Sequence, residues 1–142
     1  MNGLYLVARI ADQAVAIASG GTSSAVELGE ITPVPRAPRA VLGLAALRSW
    51  AVTVIDTPLA IGLSHSSARS NHGVAVRVEG HDYALLADGS PKVVALEAQP
   101  LGAGADLPSA WRRVASAAAM REGTRILVLD AAAILDGITQ PA

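Results

Sequence analysis

The sequence predicts an all-β protein built from two similar halves. Short runs rich in Val, Ile, Leu and Tyr are typical of strands, turn-forming residues separate them, and the order of elements in the first half recurs in the second. The chain has 142 residues, of which 51% are hydrophobic, enough to fill the core of one compact domain. It contains no Cys, so disulfides and thiolate metal sites are excluded.

The predicted strands are short apolar runs that cover residues 4–10, 14–18, 50–55, 74–78, 83–87, 92–96 and 125–129. Residues 11–13 and 80–82 each separate two of these runs at hairpin spacing. The pairs at 88–89 and 122–123 end in Gly and also favour tight turns. Strands joined by such short turns are antiparallel neighbours, so antiparallel sheet is expected.

An internal repeat relates the two halves of the chain. Residues 9–18 align with residues 78–87 at an offset of 69, since 83 minus 14 is 69, and both stretches are predicted to form a strand, a turn and a strand. Further along, residues 41–48 align with residues 114–121 at an offset of 73, since 121 minus 48 is 73. The small change in offset requires only a few inserted residues in the loops.

The repeat extends to the end of each half. Residues 54–56 align with 128–130 at an offset of 74, and a short helical tail follows each strand, at 58–61 and at 131–135. The join between the halves is expected at 64–72, where Ser, Asn and Gly cluster without apolar periodicity.

The segment 107–120 is open to two interpretations. It is rich in Ala and begins with a plausible cap, so intrinsic propensity favours a helix. The repeat instead aligns 114–121 with a segment that runs directly into a strand, and propensity is a weak guide when packing disagrees. We therefore predict a turn near 108–112, followed by a strand.

The charge balance argues against nucleic acid and anionic membranes as partners. Eleven basic and twelve acidic residues give a net charge of −1, which supplies no long-range attraction for polyanions. The first residues lack the basic segment of a signal peptide, and no apolar stretch is long enough for a membrane span. We expect a cytoplasmic protein that inserts into no membrane and contacts its partners locally.

The sequence offers little for catalysis. The histidines, His65, His72 and His81, fall in predicted loops, and no Gly-x-Ser-x-Gly motif is present. The glycine-rich stretch at 20–24 lacks the Gly-Lys-Ser/Thr ending of a phosphate-binding loop. We expect no catalytic residue and no cofactor.

Three carboxylates, Asp56, Asp130 and Asp136, follow apolar strands or the second helical tail. Carboxylates in such places more often cap the next helical turn than bind a metal ion. No metal site is therefore expected. The two Trp residues, Trp50 and Trp111, either fill the core or lie at an interface, where exposed Trp and Arg often dominate binding.

Several motifs resemble those of the CheW-like domain family. They are Thr-Pro-Val-Pro at 32–35, Val-Leu-Gly-Leu-Ala-Ala-Leu-Arg-Ser at 41–49 and Ala-Val-Thr-Val-Ile-Asp at 51–56. Similar landmarks occur in order at 4–7, 86–89, 124–130 and 134–135. The resemblance extends from about residue 4 to residue 138.

The resemblance implies two small five-stranded SH3-like barrels packed around a shared hydrophobic region. The first would span about residues 15–63 and the second about 73–138, with terminal strands open to exchange between them. The family's role is that of a non-catalytic adaptor in chemotaxis: one surface binds the regulatory domain of the histidine kinase CheA, and another grips the cytoplasmic tip of a chemoreceptor.

The resemblance also implies candidate partner-binding residues. They comprise Arg48 with its flanks Leu47, Ser49 and Trp50 for the receptor, and Val41, Leu42, Gly43 and Leu44 near the kinase surface. Arg48 matches the family motif, whereas Ala46 stands where the motif has Asn and Ser49 where it has Gly.

The family often carries a Glu that pairs with the motif Arg. Ser24 falls near that position, and a gap would bring Glu27 or Glu30 there instead. Two other functions stay open at this point. One is an adaptor or regulator of a related pathway such as twitching motility, and the other is a small ligand-binding or enzymatic β-barrel.

Overall fold

The computed structural model describes residues 2–18, 23–63, 70–102, 106–136 and 138. Its strands are β1 (Asn2–Ile10), β2 (Gln13–Ala18), β3 (Ser24–Glu27), β4 (Val41–Leu47), β5 (Trp50–Ile55), β6 (His72–Val78), β7 (His81–Ala87), β8 (Lys92–Glu97), β9 (Gln99–Pro100), β10 (Ala115–Arg121) and β11 (Thr124–Leu129). Its helices are α1 (Thr57–Ile61), α2 (Ser109–Val114) and α3 (Ala131–Asp136). None of these helices is long and apolar enough to cross a membrane.

Every predicted strand is confirmed, and the two predicted helical tails are α1 and α3. The strand expected from the repeat after residue 114 is β10, also confirmed. The turn predicted near 108–112 is wrong, because α2 begins directly after Pro108. Trp111 and Val114, three residues apart on one face of α2, are its buried residues, so packing stabilises this short helix.

The strands form two sheets that each draw on both halves of the chain. The five-stranded sheet has the order β3-β6-β7-β5-β4, and the six-stranded sheet has the order β8-β1-β2-β11-β10-β9. Apart from β9, corresponding elements of the repeat occupy the same places in the two orders. The halves have therefore exchanged their first hairpins: β6–β7 pairs with the strands of the first half, and β1–β2 with those of the second. The unit limits near 15–63 and 73–138 stay a prediction.

Both sheets close into barrels by pairing their outermost segments. In the first barrel, the chain beyond β3 reaches Thr32, which exchanges two backbone hydrogen bonds of 2.8 Å with Leu44 on β4. In the second barrel, β8 continues through Ala98 into β9, which pairs with β10. The predicted fold class, two five-stranded SH3-like barrels, is confirmed.

The register of the first hairpins corrects the repeat offset. The two-residue turns are Ala11–Asp12 and Glu79–Gly80, all four residues having positive φ, as type I′ hairpin turns require. These turns lie 68 residues apart, since 80 minus 12 is 68. The predicted offset of 69 is therefore wrong by one residue. In a strand, that slip would place each side chain on the opposite face.

The second hairpins, β4–β5 and β10–β11, share a register shift. Each carries a register shift near its start, between Val41 and Gly43 in β4 and between Ala115 and Ala117 in β10. The offset here is 74, since 117 minus 43 is 74, so the predicted value of 73 is also wrong by one. Arg48 consequently corresponds to the turn residue Glu122.

Alternating side chains of the inner strands fill separate cores. In β2, Val15 and Ile17 pack into a cluster shared by the two barrels, whereas Ala14 and Ala16 face the interior of the second barrel. Strands β7 and β11 alternate in the same way. Because both faces of these strands are buried, they are continuous apolar runs rather than alternating ones. All three helices contribute to the shared cluster, which joins the barrels.

Candidate partner-binding groove

An open groove of about 560 Å³ lies at one end of the first barrel. It is lined by Ser23, Ser24, Ala25, Val26, Glu27, Leu47, Arg48, Trp50, Arg77 and Asp82. These residues belong to β3, to the tip of the β4–β5 hairpin and to the end of the β6–β7 hairpin. In the described part of the chain, the isolated bridge between Thr32 and Leu44 joins the β3 segment to β4.

Arg48 lies at the tip of the β4–β5 hairpin. Leu47 pairs directly with Trp50, so Arg48 and Ser49 form a two-residue turn, one residue beyond the end of β4. Arg48 has a φ of +59°, a conformation that is uncommon for a residue with a side chain. As predicted, its side chain is exposed. The turn therefore holds the guanidinium at the rim of the groove.

The sequence left open whether Arg48 pairs internally with Glu27 or Glu30. Among the described residues, no acidic group lies within 4.0 Å of the Arg48 guanidinium. Glu27 instead faces His72 across the sheet, with 3.7 Å between Oε2 and Nε2. Arg48 thus forms no ion pair within that distance among the described residues, although Glu27 and Asp82 line the same groove.

The two Trp residues have different environments. Trp50 is 46% exposed beside Arg48, whereas Trp111 is 7% exposed and packs in the shared cluster. Trp111 therefore fills the core, and the assignment of Trp50 to an interface stays a prediction. An exposed indole next to an exposed guanidinium combines two residue types that often dominate protein interfaces.

The groove contains a charged pair on the β6–β7 hairpin. Arg77 and Asp82 lie directly opposite each other, and 3.9 Å separates Nε of Arg77 from Oδ1 of Asp82. This distance is too long for a hydrogen bond, and both side chains are exposed to solvent. Such a pair contributes little to stability.

The residues expected near a kinase surface lie on β4, on the side of the barrel next to the bridge. Val41 packs against the shared cluster and Leu42 against the interior of the first barrel, so neither is free to contact a partner fully. Leu44 is 42% exposed, and Val34, two residues beyond Thr32 of the bridge, is 40% exposed. We call Leu44 and Val34 the apolar face. Sequence reasoning missed Val34, whose signal was an apolar residue between two Pro.

Gly43 has a structural role at the same place. A Cβ atom on Gly43 would lie 2.2 Å from the backbone oxygen of Thr32, and its φ is +150°. Only a residue without a side chain permits this close approach. Gly43 therefore allows the bridge that closes the first barrel.

The expectation that carboxylates after the strands cap the following helices holds for Asp130 but not for Asp56. Asp130 accepts a hydrogen bond of 3.0 Å from the backbone N–H of Ala132 and caps α3. Asp56, at the N-cap of α1, makes no side-chain capping bond, so that expectation is wrong. Among the described residues, no group of three or more His, Asp or Glu side chains could hold a metal ion.

Two of the histidines considered for chemistry lie in strands rather than in loops. His72 and His81 begin β6 and β7, so the prediction that they lie in loops is wrong. His65 and residues 20–22 of the glycine-rich stretch lie outside the described residues.

The two SH3-like barrels, joined through a shared hydrophobic cluster, define the class of fold to which the chain belongs. A family model for the CheW-like domain matches residues 4–139, and the chain belongs to this family. The family consists of non-catalytic scaffolds and adaptors of chemotaxis, so this chain is a chemotaxis scaffold and not an enzyme.

The fold agrees with a solved structure. The crystal structure of the scaffolding protein TtCheW from Thermoanaerobacter tengcongensis is similar to this chain, with a TM-score of 0.75 and 18% sequence identity. The match covers 92% of this chain and 90% of that one. No curated protein matches the chain in sequence.

Proposed function

We propose that this protein couples chemoreceptors to a CheA-type histidine kinase in the cytoplasm. The groove at the end of the first barrel takes the cytoplasmic tip of the receptor, and the apolar face of Val34 and Leu44 contacts the kinase. The observation that carries this proposal is the exposed guanidinium of Arg48, which has no described carboxylate within 4.0 Å, beside the exposed Trp50.

Physical reasons support the groove as the receptor site. A carboxylate or backbone carbonyl of the receptor can accept hydrogen bonds from Arg48 without displacing a carboxylate of the described chain. An apolar side chain of the receptor can at the same time cover Trp50, whose indole ring has a large exposed area that binding would remove from water. Leu47 and Val26 extend the apolar part of the lining.

The apolar face suits a different partner surface. Its side chains carry no charge, so binding there depends on apolar burial rather than on ion pairing. Leu44 projects from a strand whose backbone position is fixed by the bridge to Thr32. The face and the groove use different residues, so the receptor and the kinase can bind together.

Two substitutions test the assignment of each surface. We expect Arg48→Ala to weaken binding to a purified receptor-tip fragment by about 1 to 3 kcal/mol and to leave kinase affinity unchanged. Leu44→Ser should weaken binding to the kinase regulatory domain by a similar amount and spare the receptor. Affinities are measured by calorimetry with receptor and kinase from the same genome, beside the melting temperature of each variant.

Matched controls are available on the same chain. Arg36 has a φ of +64° and is exposed but does not line the groove, so Arg36→Ala should change neither affinity. Val93 is 60% exposed on the second barrel, and Val93→Ser serves as the control for Leu44→Ser. Unchanged receptor affinity in Arg48→Ala would remove the groove from the receptor site.

A further inference from the structure

The groove holds a second Arg, Arg77, which has an acidic residue beside it. Arg77 and Asp82 occupy opposite positions in β6 and β7, and both side chains line the groove together with Arg48. Their side chains are 59% and 36% exposed, so both can be reached by a bound partner.

The contact between them is electrostatic but loose. At 3.9 Å, the Arg77 Nε and the Asp82 Oδ1 do not form a hydrogen bond, so the guanidinium keeps its donors available. The carboxylate nevertheless offsets the charge of Arg77 and repels any second carboxylate that approaches it. Arg48 and Arg77 therefore differ: among the described residues Arg48 has no carboxylate within 4.0 Å, whereas an acidic group that reaches Arg77 must compete with Asp82.

The second barrel shows that the fold does not need an acid at this position. At the offset of 68, Arg77 corresponds to Arg9 and Asp82 corresponds to Ala14, which also face each other across a hairpin. Arg9 uses its Nη2 to donate a 2.7 Å hydrogen bond to the backbone oxygen of Asp12 in the adjoining turn. The same hairpin thus forms with Ala opposite Arg, so Asp82 is available for a role in binding.

We propose that Asp82 is a specificity-determining residue of the groove. It selects receptor tips that bring a single carboxylate, to Arg48, and disfavours tips that bring a second one to Arg77. Discrimination by a repulsive group is a common means of specificity, since it weakens the wrong partner rather than strengthening the right one. This inference rests on the proposed function, because the receptor tip is the partner that it names.

The test compares receptor tips that differ by one charge. The probes are a soluble receptor-tip fragment from the same genome and a panel of its variants, each with one exposed Gln or Asn near the contact changed to Glu or Asp. We expect that the unchanged chain binds the native tip at least as tightly as any tip variant that carries a new Glu or Asp (an added-acid tip). Asp82→Asn should bind at least one of them about five- to twentyfold more tightly than the native tip, with a smaller gain at high salt.

Two further variants identify the cause of that gain. Adding Arg77→Gln to Asp82→Asn should abolish the new preference, because the second carboxylate then has no cation to meet. Glu79→Gln removes an acid from the turn of the same hairpin, outside the groove lining, and should leave the preference unchanged. If Glu79→Gln raised the affinity for the added-acid tips as much as Asp82→Asn does, the cause would be the lower negative charge of the hairpin as a whole. That result would overturn the inference.

The outcomes separate this inference from the proposed function. If the unchanged chain binds the native tip but Asp82→Asn shows the same preferences among tips, the inference alone fails. If the unchanged chain does not bind the native tip, the receptor assignment is wrong, and the inference about Asp82 is then wrong as well. A melting temperature for each variant confirms that the differences arise in binding and not in folding.

Discussion

At the scale of single residues, the first barrel depends on backbone conformations that most side chains avoid. Gly43 occupies a φ of +150° and lies against Thr32, while Arg48 turns the hairpin with a φ of +59°. The first of these closes the barrel and the second holds a guanidinium at the groove. Both residues fall within one motif of the family resemblance, five residues apart, since 48 minus 43 is 5.

We expect Gly43→Ala to destabilise the protein by about 2 to 4 kcal/mol. A Cβ 2.2 Å from the Thr32 oxygen must push the bridging segment away, and Ala is itself strained at that φ. Chemical denaturation followed by fluorescence of Trp50 and Trp111 measures the loss. Gly29 is the control, because a Cβ added there would meet no atom within 4 Å and its φ is not positive, so Gly29→Ala should cost little. Equal stability of the two variants would contradict the role given to Gly43.

The residue scale also shows what the sequence could and could not predict about the site. The exposure of Arg48 was predicted from its motif and is confirmed. Its place in a two-residue turn was not predicted, because the repeat aligned it with Arg121 instead of Glu122. The partner of Glu27 was also beyond prediction, since His72 lies 45 residues away in sequence, 72 minus 27, and only the exchanged hairpin brings them together.

At the scale of elements, three short helices join the barrels, and one Arg links them. Arg113 on α2 donates hydrogen bonds to the backbone oxygens of Ala60 and Ile61 at the end of α1, at 2.8 and 2.9 Å. It donates another, of 3.0 Å, to Ala133 of α3. Carbonyl groups near a helix end lack partners within the helix and favour a cation. Arg113 thus connects α1, which follows strand β5 of the first barrel, to α2 and α3, which adjoin strands β10 and β11 of the second.

We expect Arg113→Met to lower the free energy of unfolding by about 1 to 3 kcal/mol, because three carbonyl groups lose a charged donor while the apolar stem is retained. Thermal and urea denaturation measure the change. Arg112, the neighbouring residue, donates a single bond of 2.9 Å to Leu107, so Arg112→Met should cost less than about 1 kcal/mol. The same loss in both variants would mean that the link between the helices contributes nothing specific.

Elements differ in how well the sequence indicated them. Long apolar strands such as β2 and β11 were predicted because both of their faces are buried. The short strands β3 and β9 were missed, because they lie at sheet edges and carry mostly exposed residues. Helix α2 was missed because the repeat has a different structure at that point: the corresponding residues of the first half, near 35–40, form turns.

At the scale of the whole molecule, the exchanged hairpins make the two halves depend on one another. Hairpin β1–β2 pairs with β8 through β1 and with β11 through β2. Hairpin β6–β7 pairs with β3 through β6 and with β5 through β7. Neither half of the sequence therefore contains all five strands of a barrel. The repeat predicted two equivalent units, and the sequence left exchange of terminal strands open, because similarity between halves does not say which copy of a hairpin a strand pairs with.

We expect fragments 1–63 and 70–142 to be unfolded or aggregated when expressed alone, and to form a native complex when expressed together. Each fragment lacks the central hairpin of its own barrel, so its remaining strands expose apolar edges and faces. Co-expression restores every strand pairing without the connection between residues 63 and 70. Size-exclusion chromatography, circular dichroism and receptor-tip binding by the co-expressed pair measure the result. A fragment 1–63 that melts cooperatively as a monomer would contradict the dependence, since its own β1–β2 hairpin would then have taken the place of β6–β7.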